Sequence, residues 1–164
     1  ILKRLKGTPI ARHTQEFDFK YSPEAPYSVY ENKDMDFATM NQMKHAAKFW
    51  DLIANSGRFS QTLPLLFNEK AFETLWEISE YMVSKFKRTH SIPLDKLFAE
   101  VYVYLTEIKQ LPLEEVRELM GQDFLRIGLQ GWPRYLGDKP EGFEDRFKNR
   151  IPKTATPKRQ QQHL

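Results

Sequence analysis

The 164-residue chain contains no cysteine. That absence excludes disulfides, and it excludes any thiolate-ligated zinc or iron–sulfur site built from these residues. It also suits a reducing cytoplasm, the location expected here. No apolar run approaches the length of a membrane span, and the first residues do not resemble a secretory leader. There is no Gly-rich loop before a helix to cradle a phosphate and no Gly-x-Ser-x-Gly elbow. Lys6-Gly7-Thr8 lacks the other glycine and the loop length of a phosphate-binding loop. Catalytic machinery is therefore not expected in this stretch, and no residue is assigned a catalytic, cofactor-binding or metal-binding role.

Aromatic residues, by contrast, are plentiful: 12 Phe, 7 Tyr and 3 Trp. Together with globular-average apolar and charged fractions they point to one folded domain with a bulky core. The net charge of +3 is segregated. Residues 1–12 carry Lys3, Arg4, Lys6 and Arg12 with no acid, and residues 139–164 carry seven Lys or Arg against Glu141, Glu144 and Asp145. The middle is net acidic. Nucleic-acid binders usually carry positive charge on a folded face, so basic ends alone do not make nucleic acid the expected partner.

Residues 13–36 read as an extended linker lying on a surface, with short strands at 17–21 and 27–30, where aromatic or β-branched residues alternate with polar ones. Its five aromatics need something to pack against. From Asp36, an N-cap candidate, the period becomes helical. Phe37, Met40, Met43, Ala47 and Trp50 recur at helical spacing up to the stop Asn55-Ser56-Gly57. A short segment follows, with Pro64 in its first turn if Ser60 or Thr62 caps it. A helix from about Glu69 to Lys87 carries Phe72, Leu75, Trp76, Val83 and Phe86. Ser91-Ile92-Pro93 opens another, with Leu94, Leu97, Phe98, Val101, Leu105 and Ile108; Tyr102 or Tyr104 is expected to reach a neighbouring element. After Leu111-Pro112 comes a stripe of Leu113, Val116, Met120, Phe124 and Ile127, with Glu114, Glu115 and Glu118 suiting the positive end of the helix dipole. Short breaks between amphipathic helices imply an all-α antiparallel bundle of four to five helices over residues 37–136, behind an extended segment with one or two short strands. Residues 137–164 form a basic tail in which Phe143 and Phe147 are one helical turn apart and order is not expected beyond Pro152.

Among polar candidates, His13, His45, His90 and His163 are scattered and have no metal-type spacing. The carboxylate groups Glu114/Glu115/Glu118 and Glu141/Glu144/Asp145 sit where ionised, solvated side chains are the default. Trp132, Arg134 and Tyr135 are of the types enriched in interface anchors; the same cluster would equally serve as a lid closing the bundle. An independent helical interaction module is thus one reading of the chain.

A resemblance gives another. Lys6-Gly7-Thr8-Pro9, with the preceding Leu2 to Leu5, resembles the turn closing a late strand of a radical SAM barrel. Tyr27 in Ala25-Pro26-Tyr27-Ser28-Val29-Tyr30, then Asn55-Ser56-Gly57-Arg58-Phe59, then Asp123-Phe124-Leu125-Arg126 are similar to stations in the C-terminal domain of unknown function of bacterial radical SAM proteins that also carry an N-terminal cobalamin-binding domain. Phe124 departs from the Tyr expected there. The resemblance spans most of residues 1–136, with Asn55 to Phe59 its most specific part; the ending beyond Gly137 matches no station. It implies that residues 1–12 are the end of a preceding barrel and that the parent is an enzyme. That parent would bind a [4Fe-4S] cluster through a loop of three cysteines, S-adenosylmethionine and cobalamin. The tail would cap the barrel mouth, orient substrate or bind a partner, its neighbours being the preceding radical SAM and cobalamin-binding domains, with no membrane contact.

Overall fold

The computed structural model describes residues 2–67, 70–129, 131–141 and 143. Two layers of organisation follow from the change of period near Asp36. In front lies a small antiparallel pair, β1 (Lys20–Tyr21) and β2 (Val29–Glu31), with Lys20 opposite Glu31, Tyr21 opposite Val29 and a bulge between Lys20 and Tyr21. Leu2 to Arg4 run beside it. Lys3 bridges Ser28, Val29 N–H donates to Leu2 O at 2.9 Å and Arg4 N–H donates to Tyr27 O at 3.0 Å. Both strands are shorter than the alternation suggests. Asp18 takes a left-handed φ of 49° and Tyr27 one of 53°. Those turns remove Phe17 and Tyr27 from any ladder. The aromatics of this segment pack largely on one another: Phe17 on Phe19 at 5.5 Å, Phe19 edge-on to Tyr21 at 6.1 Å, and Tyr30 against Phe37 at 5.9 Å.

Behind it stand five α-helices: α1 (Phe37–Trp50), α2 (Leu63–Leu66), α3 (Ala71–Phe86), α4 (Leu94–Val103) and α5 (Leu113–Ile127). The expected helical bundle fronted by short strands is what folds. Asp36 caps α1 by accepting Thr39 N–H at 2.8 Å, and that bond holds its carboxyl below the usual range. Pro93 and Pro112 end the preceding turns and stand immediately before α4 and α5. Gly128, at φ 68°, closes α5 in the left-handed conformation that glycine adopts without a Cβ penalty. α1 and α4 each run on into a π-helical turn, Asp51–Asn55 and Tyr104–Ile108.

The core gathers Phe49 and Ile53 from the first helical run, Ile78 and Met82 from α3, Leu97, Phe98 and Val101 from α4, and Val116, Met120 and Phe124 from α5. Two expected faces are rotated. In α1 the buried residues are Met40, Ala46 and Phe49, while Phe37 is 54% and Met43 41% exposed. In α3 they are Thr74, Ile78, Ser79 and Met82, while Phe72 is 65% exposed and Leu75, Trp76, Val83 and Phe86 are half-buried. The reason lies where α1 meets α3. There Gln42 Nε2 donates to Ser79 Oγ at 3.1 Å, and Ser79 Oγ donates to Trp76 O at 2.8 Å. Small and polar residues, which a hydrophobicity count passes over, sit at this contact. The stripe of α5 folds as expected at Val116, Met120 and Phe124, although Leu113 is 41% exposed. The expected cap of α2 does not form, because Ser60 and Thr62 donate their hydroxyls elsewhere. The expectations at Glu69, Phe147, His163, Glu144, Asp145 and the end of the tail lie outside the described residues.

The phase of α3 yields a direct check. Ile78→Ala, at a fully buried position, should cost about 2–5 kcal/mol in denaturant unfolding followed by circular dichroism. Phe72→Ala should stay within about 0.5 kcal/mol of the parent chain. The reverse order would mean that α3 is turned the other way.

Candidate functional site

Residues of two of the motifs singled out above, more than sixty positions apart, meet in one place. Asp123, on the inner face of α5, is fully buried. Its carboxylate accepts Ser60 Oγ–H at 3.2 Å, Gln61 N–H at 3.1 Å to each oxygen, Thr62 N–H at 2.9 Å and Thr62 Oγ–H at 2.8 Å. Arg126, one helical turn later, pairs with it at 3.1 Å and donates the same nitrogen to Gly57 O. Asp123 and Arg126 thus grip the turn that follows the first helical run, at both of its ends. Phe59, inside that turn, is fully buried and stacks on Phe98 at 4.2 Å. Phe98 meets Phe124 edge-on at 5.7 Å, and Phe124 meets Trp132 at 5.7 Å. Arg58 is half-buried, and exposed Asn55 donates Nδ2–H to Asp51 Oδ1 at 2.8 Å. A buried carboxylate with this many donors stays ionised and has no orbital left for a substrate proton. The arrangement is a clamp, and its chemistry is structural.

The other motif pair meets at the opposite end of the chain. Lys6, Gly7 and Thr8 share with Tyr27 a hollow of about 380 Å³ that also includes Arg4 and Leu5. Gly7 holds φ 84° at the turn, where Thr8 donates both N–H and Oγ–H to Leu5 O, and Pro9 begins a short 3-10 turn. Leu2, Leu5 and Tyr27 are 57%, 51% and 46% exposed.

The third group, Trp132, Arg134 and Tyr135, is divided. Trp132 is half-buried, donates Nε1–H to Gly137 O at 3.0 Å and meets Phe143 at 5.5 Å. Tyr135 lies on Tyr102 at 4.7 Å, and its carbonyl accepts Arg117 Nε–H at 3.1 Å. Arg134 is exposed. The two rings are thus spent largely on the α4 and α5 side of the bundle. A cleft of about 710 Å³ runs between Trp132 and the α5 residues Arg117, Glu118 and Gln122.

Sequence reasoning missed a set of tyrosine–carboxylate bonds. Tyr81 donates to Glu100 at 2.7 Å, and Tyr104 donates to Glu77 at 3.3 Å, where Lys109 also binds at 2.6 Å. Both tyrosines of the expected pair do reach neighbours: Tyr104 reaches Glu77 on α3, and Tyr102 reaches Tyr135. Burial, reinforced by these acids, pushes the Tyr81 and Tyr104 hydroxyls far above the ordinary tyrosine value, and burial does the same to Tyr135. Lys109 holds the Glu77 carboxyl low. The one available signal was the repeated placing of Tyr on apolar helix faces. Among the described residues no group of three His, Asp or Glu side chains could hold a metal ion, and no helix is long and apolar enough to cross a membrane.

Fold and clamp together define a small helical bundle domain with a strand pair at its front. A family model described as "Protein of unknown function (DUF4080)" matches residues 15–163. The chain belongs to that family. No curated protein and no solved structure matches it.

The clamp and the tyrosines each generate a prediction. Asp123→Ala orphans buried donors and should cost about 3–5 kcal/mol in urea unfolding. Asp123→Asn should also be strongly destabilising, because its amide NH₂ faces donors; a harmless Asn variant would show that the charge is not needed. For the tyrosines, a raised folded value means the folded state keeps protons that the unfolded chain releases near pH ~10. Their stabilisation is therefore full below that pH and falls as pH rises beyond it. Absorbance titration at 295 nm should show Tyr81, Tyr104 and Tyr135 ionising only as the chain unfolds. Smooth titration of all tyrosines before any loss of circular dichroism would overturn their burial.

Proposed function

We propose that this chain is a non-catalytic C-terminal accessory domain of a bacterial cobalamin-dependent radical SAM enzyme, working in the cytoplasm, where it caps the barrel or positions substrate or a partner. The observation that carries the reading is the hollow formed by Lys6, Gly7, Thr8 and Tyr27. Two family-like stations far apart in sequence form one surface beside the exposed side chains of Leu2 and Leu5. An apolar, turn-shaped face of that kind suits docking against a preceding domain. Membership of a family of unknown function is consistent with an accessory role.

The cofactors belong upstream on this reading. With no cysteine in the chain, its residues do not fit a [4Fe-4S] cluster, and no step is assigned to them through the cluster, S-adenosylmethionine or cobalamin. What the chain supplies is a rigid bundle, held by the Asp123–Arg126 clamp, that presents the hollow at fixed geometry. The alternative of an independent interaction module draws on the exposed Arg134.

The test is made on the full-length parent protein, purified anaerobically with and without residues 37–164. Iron content and the ultraviolet–visible spectrum should report a [4Fe-4S] cluster in both forms. An iron-free parent would overturn the reading and favour the interaction module.

A further inference from the structure

A second cavity, of about 620 Å³, opens between the N-terminal strand and α1. Its wall is built by spacing. Asn41, Lys44, His45 and Lys48 lie at i, i+3, i+4 and i+7 of α1 and so share one face. Lys3 is brought to the same cavity by its backbone bridge to Ser28. Thr89 adds a hydroxyl from the turn after α3, and Asp51 is the one acid in the lining. The Asp51 carboxylate already accepts Asn55 Nδ2–H. Among the described residues, none of the three lysines forms an ion pair.

Stability alone does not account for this arrangement. Lysines four residues apart on a helix repel, and a third cation beside them adds to the cost. Lys44 lies ahead of the last turn of α1, so the favourable end of the helix dipole does not offset its charge. Three ammonium groups, an imidazole, two hydroxyls and an amide around a space of this size match what a multiply charged oxyanion needs. We propose that this cavity binds a small phosphorylated ligand, its phosphate oxygens held by Lys3, Lys44 and Lys48 and its remainder by Asn41 and Thr89. A nucleic-acid strand is the less suited occupant, because it calls for an extended basic track with stacking rings, and no aromatic residue lines this cavity. The proposal goes beyond the accessory-domain reading and does not depend on it.

The experiment is calorimetric titration of the whole 164-residue chain with pyrophosphate at pH 7 and low salt. The expected result is one saturable site, weakened roughly tenfold or more in the Lys44→Gln/Lys48→Gln double variant. Lys96→Gln, at an exposed position away from the cavity, should bind as the parent does. The thermal midpoint of the double variant should be equal to or above that of the parent, since a repulsion has been removed. Three outcomes overturn the proposal: no saturable heat at millimolar pyrophosphate, equal weakening by Lys96→Gln, or a single-stranded oligonucleotide that binds more tightly and displaces pyrophosphate.

Discussion

A carboxylate taken out of water must find donors for nearly all its lone pairs, and Asp123 finds them in three consecutive residues of one turn and in its own helical neighbour Arg126. The constraint runs in both directions. The turn is held by the acid, and the acid is tolerable only because the turn keeps its backbone N–H groups aimed inward. Phe59, carried by that turn, reaches the aromatic series that continues through Phe98 and Phe124 to Trp132. One polar contact thereby sets the position of the central apolar layer, and α2 and α3 follow from where the turn ends.

The remaining polar groups obey the same rule at lower stakes. Tyr81 and Tyr104 span α3 and α4 with their rings in the bundle and their hydroxyls on Glu100 and Glu77, which lets bulky residues fill space without orphaning a donor. Among the described residues no buried side-chain nitrogen or oxygen lacks a partner. The front module is built differently. Its aromatics stack on one another along the surface, and Val29 is its one fully buried apolar residue. Its connection to the bundle runs through β2 and the Tyr30–Phe37 contact.

Helices were legible in the sequence because apolar spacing, Pro93, Pro112 and Gly128 all speak locally. Their rotation was less so. Where one face is strongly acidic, as beside Val116, Met120 and Phe124, the inner face stands out by contrast. In α1 and α3 large residues occur on both sides, and the faces that pack use Ala46, Thr74 and Ser79, whose value is close approach rather than apolar area. The motif residues at Asn55–Phe59 and Asp123–Arg126 could be singled out one by one. Their union could not, because nothing local says that hydroxyls suited to capping α2 will turn to an acid sixty residues on. The lysine cavity was hidden for the same reason: Lys3 joins Lys44 and Lys48 only through a strand bridge.

The π-helical turn at Asp51–Asn55 has a consequence for how this chain tolerates change in length. A wide turn holds one residue more than an ordinary helical turn, so it acts as a vernier between α1 and the clamped loop. Losing a single residue there would restore a regular helix and swing everything beyond it by about 100° around the axis. Gly57 and the hydroxyls of Ser60 and Thr62 would then face away from α5. Insertions in the front hairpin meet no such gear, whereas at this point the chain counts residues one at a time.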